Sequence, residues 1–259
     1  MEVVAGDLDG HGSLDRAVEG VRGVSSVHAG AYEGGPYGDD PEHEARSAAK
    51  LGAACVAAGV AHLVHSSAFG IDTPLESKLP VLKTKLPVLK TKSAAEAALR
   101  ETGLSLTFLR PSSFMEHTFD SLPPRTPERQ ADHPAAGRES GAAHRPVDDI
   151  AALAFAAPER HRGKAYTLAG DDMNQVGRAA LTSRVTGRKA PYAEVPIERP
   201  RGISMSSAAT IAVLNENPLS VDIDALGEIH PGLLTFEDWL HGVGKPLVEA
   251  YFARVDAKG

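Results

Sequence analysis

Short β-branched runs alternate with Ala-rich helical stretches through the first hundred residues, and no other feature narrows the fold as much. The alternation predicts parallel strands covered by helices, an α/β architecture. Four strands are expected, at Glu2 to Ala5, Val24 to His28, His62 to Ser67 and Ser105 to Leu109, each apolar enough to be buried on both faces. Asp39-Asp40-Pro41 supplies a helix start, and Glu42 to Ala58 carries Ala45, Ala48, Gly52 and Cys55 on one stripe until Gly59 stops it. A second helix is expected from Thr91 to Thr102-Gly103, with Ala95, Ala98 and Leu99 inward and Glu96, Arg100 and Glu101 outward.

Ahead of that helix Leu79 to Lys85 is repeated at once as Leu86 to Lys92. Prolines at 80 and 87 forbid one helix through both copies, and two copies fall short of the roughly three that a stacked repeat array needs. A local duplication with one copy looped out is the expectation. From Ser121 to His144 the chain is rich in Pro, Arg and Gly and reads as a surface crossing or lid. It separates an expected sheet domain, residues 1–120, from a smaller α+β lobe, residues 121–259, parts of which can return to the sheet. That lobe is expected to hold helices at Asp148 to Ala157, Val176 to Thr186, Ser206 to Leu214 and Phe236 to Gly242, and strands at Ala165 to Ala169 and Tyr192 to Val195.

A chain of 259 residues that is 42% hydrophobic and 24% charged can bury a core, which excludes a disordered or collagenous protein. The single cysteine, Cys55, precludes an intrachain disulfide and suits a reducing, cytoplasmic setting. No window reaches the ~18 apolar residues of a membrane span, the start lacks a leader-like pattern, and a net charge of −7 offers no footprint for duplex nucleic acid or an anionic bilayer.

Chemistry-bearing motifs are few. Gly10-His11-Gly12-Ser13-Leu14-Asp15 follows a predicted strand, but Asp15 holds the third glycine position of a dinucleotide fingerprint and would oppose a phosphate. No Walker loop, no Gly-x-Ser-x-Gly elbow, no His-Glu-x-x-His and no Cys-x-x-Cys occurs. His62 and His65 fall on opposite faces of a strand and cannot share a metal. No tyrosine stands four residues before a lysine, so the proton donor of short-chain dehydrogenases is missing.

Several segments together resemble the NmrA-like proteins, atypical members of the short-chain dehydrogenase superfamily. Glu2 to Asp9 with Ser13-Leu14 looks like the third Rossmann strand and its loop, and Ala57 to Ser67 looks like the fifth. Lys92 with Glu96 and Leu99, then Gly103-Leu104 and Leu109 to Glu116, resembles the family's most recognisable stretch, which Pro146 to Ala151 and His230 to Phe236 continue. The resemblance implies a Rossmann-like, doubly wound parallel sheet and an NADP or NAD cofactor. It implies that Asp7 and Leu8 flank the adenine, that His28, Ala29 and Gly30 lie on the ribose side, and that Ser66, Ser67, Lys92, Pro111, Ser112 and Phe114 line the nicotinamide half. Lys92 is also the one catalytic candidate; for its place in the nucleotide site Lys85 is the alternative that the duplication creates.

Relatives begin with a strand, a Gly-x-x-Gly-x-x-Gly turn, a helix and a second strand ahead of the point where this match starts, so the sheet is expected to be N-terminally truncated and the dinucleotide weakly held or lost. Each hydrogen bond to a charged pyrophosphate contributes ~1.5–3 kcal/mol, and forfeiting several lowers affinity by powers of ten. Three functions stay open: an NAD(P)H-dependent oxidoreductase of a small or quinone-like acceptor, a non-catalytic redox sensor acting on a regulated protein, and an inactive truncated product. A homo-oligomer packed through Glu42 to Ala58 is compatible with each.

Overall fold

The computed structural model of the protein describes residues 3, 5–28, 40, 42–72, 87–116, 119, 131–134, 144–145, 161–190, 192–195 and 221–257. A four-stranded parallel sheet forms from β1 (Gly23–Val27), β2 (His62–Ser66), β3 (Leu106–Pro111) and β7 (Ala165–Leu168), in that spatial order. The register runs Gly23 opposite His62 and Val27 opposite Ser66, then Leu63 opposite Leu106 and Ser66 opposite Leu109. Phe108 N–H donates to the Lys164 carbonyl at 2.9 Å, bringing the chain back to the sheet beyond β3. The Rossmann-like α/β expectation is therefore met, with Ala165–Leu168 in the sheet.

Compact packing divides the chain into two units. The first comprises residues 1–72, 87–110 and 152–166, the second residues 73–86, 111–151 and 167–259. In the first, α1 (His11–Val18), α2 (His43–Ala57) and α3 (Pro87–Arg100) surround an apolar core of Leu14, Val18, Ala48, Leu51, Ala54, Cys55, Leu63, Ala95, Leu99, Leu106 and Phe108. Gly52 lets α2 lie close on α3, since a Cβ there would meet Thr102 Cγ2 at 2.6 Å. α2 ends at Gly59, whose φ of +69° suits only glycine.

In the second unit, α4 (Gln175–Thr186), α5 (Ile223–Ile229), α6 (Phe236–His241) and α7 (Lys245–Asp256) enclose an aromatic core. Trp239 stacks between Phe236, at 5.8 Å, and Phe119, at 5.9 Å between ring centroids. Asn174 caps α4 by accepting from Gly177 N–H, and Thr235 with Asp238 forms a reciprocal capping box on α6.

Several expectations are corrected. Val3 and Ala5 belong to no strand and Val3 is 85% exposed, while Glu2 and Val4 lie outside the described residues. A short run without a neighbouring strand has no ladder to join. α3 begins at Pro87, not Thr91, because proline is suited to a first helical turn, so the second repeat copy opens the helix. Glu96 is buried, not outward, because Arg110 and Arg100 pair with it, while Ala98 is half-buried. Within the expected irregular crossing, β5 (Ala131–Pro134) pairs in parallel with β8 (Tyr192–Val195), and β4 (Ser113–Phe114) pairs with β6 (His144–Arg145). The first repeat copy and the helices expected at Asp148 to Ala157 and Ser206 to Leu214 lie outside the described residues.

Candidate functional site

In open parallel α/β sheets ligands bind beyond the carboxyl ends of the strands. His28 follows the last residue of β1, Ser66 ends β2 with Ser67 next, and Pro111 ends β3 with Ser112 next. In the first unit three of the expected positions, His28, Ser66 and Ser67, therefore occupy one edge of the sheet by topology alone. Ala29 and Gly30 lie outside the described residues.

In the first unit this edge is polar and nearly dry. His28, His65, Ser67, Lys92 and Glu44 are all buried. Lys92, on the second turn of α3, donates from Nζ to the His28 carbonyl at 2.6 Å and lies 2.7 Å from Glu44 Oε1. The Glu44 carboxylate, on the first turn of α2, is 0% exposed, and among the described residues no donor reaches either oxygen with hydrogen-bonding geometry, so the lysine charge is its compensation. The His28 ring meets the His65 ring edge-on, with centroids 5.2 Å apart, and His65 Nδ1 is 2.9 Å from Ser26 Oγ.

Two imidazoles so close to an ammonium stay neutral. Burial first, then the Lys92 charge and His43, pushes His28 down to about 4, with a looser contact from the Glu44 backbone opposing them. Burial, then His28 and Lys92, pushes His65 down to about 3. Both rings are therefore neutral near neutral pH. Behind Lys92 on α3, Glu96 takes a two-pronged grip from Arg110, at 2.9 and 2.8 Å, and Arg110 also reaches Asp72. Hydrogen bonding to Glu96 holds Arg110 above its ordinary range and ties β3 to α3.

Polar atoms without hydrogen-bond partners mark where a ligand could satisfy the edge. In the first unit they include both ring nitrogens of His28, His65 Nε2 and Ser67 Oγ; by itself, the second unit leaves Ser112 Oγ without such a bond. The turn at Asp7 to Gly10, expected to flank the adenine, differs. Asp7 is exposed, and its Oδ1 accepts from Asp9 N–H at 2.9 Å while its carbonyl accepts from Gly10 N–H at 3.0 Å. Leu8 packs against the apolar core, and Asp9 pairs with His43 at 3.0 Å and Lys50 at 3.2 Å. This turn consumes its own amides and presents carboxylates, a poor cradle for an anion. Pro111 is buried and Phe114 half-buried in the second unit.

Glu44 was not anticipated from the sequence, although a signal exists. Extending the stripe of Cys55, Leu51 and Ala48 back by one turn lands on position 44, and a carboxylate on a core-facing stripe demands a partner. Among the described residues no group of His, Cys, Asp and Glu side chains could hold a metal ion, and no helix is long and apolar enough to cross a membrane.

Known proteins share this architecture. Over 209 residues the chain is 30% identical to (4-alkanoyl-5-oxo-2,5-dihydrofuran-3-yl)methyl phosphate reductase of Streptomyces griseus subsp. griseus, a match covering 80% of this chain and 66% of that enzyme's length. It superposes on NADPH-dependent quinone oxidoreductase of Escherichia coli, complexed with NADPH, with a TM-score of 0.70 at 21% identity, covering 94% of this chain and 83% of the other. On Nmra, a negative transcriptional regulator in complex with NAD, the TM-score is 0.72 at 19% identity, covering 96% and 82%. The solved structures share the Rossmann-like fold, the model of the NAD(P)H-binding family matches residues 1–159, and the chain belongs to that family.

Proposed function

We propose that this chain holds the nicotinamide half of NADP(H) or NAD(H) at the carboxyl edge of its sheet and reduces a small, quinone-like acceptor. The observation that carries the reading is the buried cluster of His28, His65, Ser67 and Lys92, whose unpartnered polar atoms lie where such folds bind a dinucleotide. The bound dinucleotide would supply a hydride. Lys92 would keep a fixed positive charge beside it, His28 and His65 would offer neutral rings, and Ser67 a hydroxyl. Ser66, Pro111, Ser112 and Phe114 would continue the nicotinamide side, and Asp7, Leu8, Ala29 and Gly30 the adenosine side. Residues 1–120 would carry the nucleotide and 121–259 the acceptor, in a cytoplasmic setting that suits the free, buried thiol of Cys55. Because the turn at Asp7 to Gly10 uses its amides internally, the dinucleotide is expected to bind more weakly than micromolar.

Titration of NADPH by fluorescence, followed by NADPH oxidation with a quinone panel, tests this. Saturable binding weaker than about 1 μM together with turnover supports it; absence of binding at millimolar NADPH overturns it. A second reading, a redox sensor without chemistry that acts on a regulated protein, is favoured by one feature. The Tyr166 hydroxyl is committed to His161 Nδ1 at 2.7 Å, and no Tyr-x-x-x-Lys pair exists to donate a proton. Binding without turnover of any acceptor would select it.

A further inference from the structure

Glu44 has no part in the nucleotide reading, yet it carries the least compensated carboxylate among the described buried residues. Ionised carboxylates rarely stay fully buried without several donors, because the desolvation they suffer exceeds what one contact returns. Here the compensation is a lysine, the side chain with the most rotamer freedom to lose. Lys92 Nζ meets Glu44 from α2 at 2.7 Å and the His28 carbonyl from the end of β1 at 2.6 Å. An ammonium has three hydrogens, and the His28 carbonyl takes one, while the Glu44 contact is an ion pair outside hydrogen-bonding geometry. With 11% of its side chain still accessible, Lys92 keeps a way open for a hydrogen not yet bonded.

We propose that Glu44 is the positioning residue of the nucleotide site: its carboxylate holds the Lys92 ammonium at the carboxyl end of β1 so that the free N–H points to the dinucleotide. The inference rests on the proposed place of Lys92 in that site. A lysine held only by the His28 carbonyl would sweep the edge, and its ordering would then be charged against ligand binding. Glu44 meets that cost within the folded chain. The groups facing the pair are His28 and His65 from the strand ends and His43 on the same helix, all positive or neutral, so nothing among them replaces the carboxylate.

The test is lysine acetylation by acetic anhydride on the full chain, read residue by residue by mass spectrometry. Lys90, exposed on the same helix, serves as the internal reference, and the buried Cys55 thiol of α2 reports whether that helix stays closed. In the wild type Lys92 should react at least about tenfold more slowly than Lys90, and about 5 mM NADPH should slow it further. In Glu44→Gln, Lys92 should react within about threefold of Lys90, NADPH should no longer protect it, and Cys55 should stay unreactive; Glu44→Asp should restore part of the protection. Lys92 labelling in Glu44→Gln as slow as in the wild type overturns the inference. NADPH that leaves wild-type Lys92 labelling unchanged overturns the nucleotide reading instead, whatever Glu44→Gln does. Should Glu44→Gln expose Cys55, the double variant Glu44→Gln/Lys92→Met decides. Reclosure of Cys55, with NADPH affinity equal to that of Lys92→Met, supports the pair; continued exposure overturns it.

Discussion

A charge is buried with its partner in each unit, and the two pairs are treated in opposite ways. In the second unit Arg178, 1% exposed, donates to Asp171 Oδ1 at 2.8 Å and lies over the Phe236 ring at 4.6 Å, while Asp171 Oδ2 accepts from Phe236 N–H at 2.7 Å. Burial lowers the Arg178 guanidinium to about 10, far above neutrality, so the charge persists. Each Asp171 oxygen is satisfied, and the pair staples α4 to the start of α6 inside an aromatic core. In the first unit the Glu44 oxygens receive no hydrogen bond of normal geometry, and the rings beside Lys92 keep open nitrogens. A carboxylate with both oxygens bonded, as in Asp171, fixes a fold, whereas one that accepts no such bond at the end of a sheet leaves bonding capacity for something else.

The largest expected effect tests the Arg178–Asp171 pair. Arg178→Met should lower stability by about 3–5 kcal/mol, since it strands Asp171 in a dry setting, and should show as a fall in Tm by circular dichroism. NADPH binding by the folded fraction should be unchanged. If the variant were as stable as the wild type, the two pairs would not differ in kind.

The pH dependence of stability comes next. Both histidines of the first unit have folded pKa values below the ordinary 6.5, so the unfolded chain takes up their protons first. Their contribution is complete above about pH 6.5 and is lost as pH falls toward about 4 for His28 and about 3 for His65. Between pH 7 and 5 the loss should be on the order of 2–4 kcal/mol, read from urea midpoints at each pH. His65→Asn should flatten the curve. A profile unaffected by that substitution would place the titration elsewhere.

The smallest effect probes the helix contact that brings Glu44 to Lys92. Gly52→Ala should gain up to ~1 kcal/mol of helix propensity but force Thr102 Cγ2 away from a Cβ at 2.6 Å, a repacking that costs ~1–3 kcal/mol. A net loss near 1 kcal/mol is expected, and Thr102→Ser, which removes that methyl, should recover it in the double variant. Gain of stability by Gly52→Ala alone would show that α2 and α3 have slack.

How much of this was legible follows from what each residue type can say alone. The helix expected at Val176 to Thr186 is met within one residue by α4, and the strand expected at Tyr192 to Val195 by β8; Asn174 and Gly187, which punctuate α4, are cap residues of ordinary type. The parallel sheet followed from alternation. A lone carboxylate on a helix normally faces water, so the sequence points Glu96 outward; only the fold brings Arg110 to it from fourteen residues away. Glu44 was missed for the same reason, as its partner stands forty-eight positions later on another helix. The pair of Ala131–Pro134 with Tyr192–Val195 joins segments too distant for any local pattern to link. Candidate residues at strand ends were found through family likeness, which conveys position but not the hydrogen bonds made there.

Proline at the head of α3 has an evolutionary consequence. A helix that counts its turns from residue 87 is indifferent to the number of residues inserted before that point, so a heptapeptide can be copied upstream without rotating Lys92 off its face. Such a junction is a natural place for insertions and deletions to accumulate among descendants, while the lysine five residues downstream keeps its address.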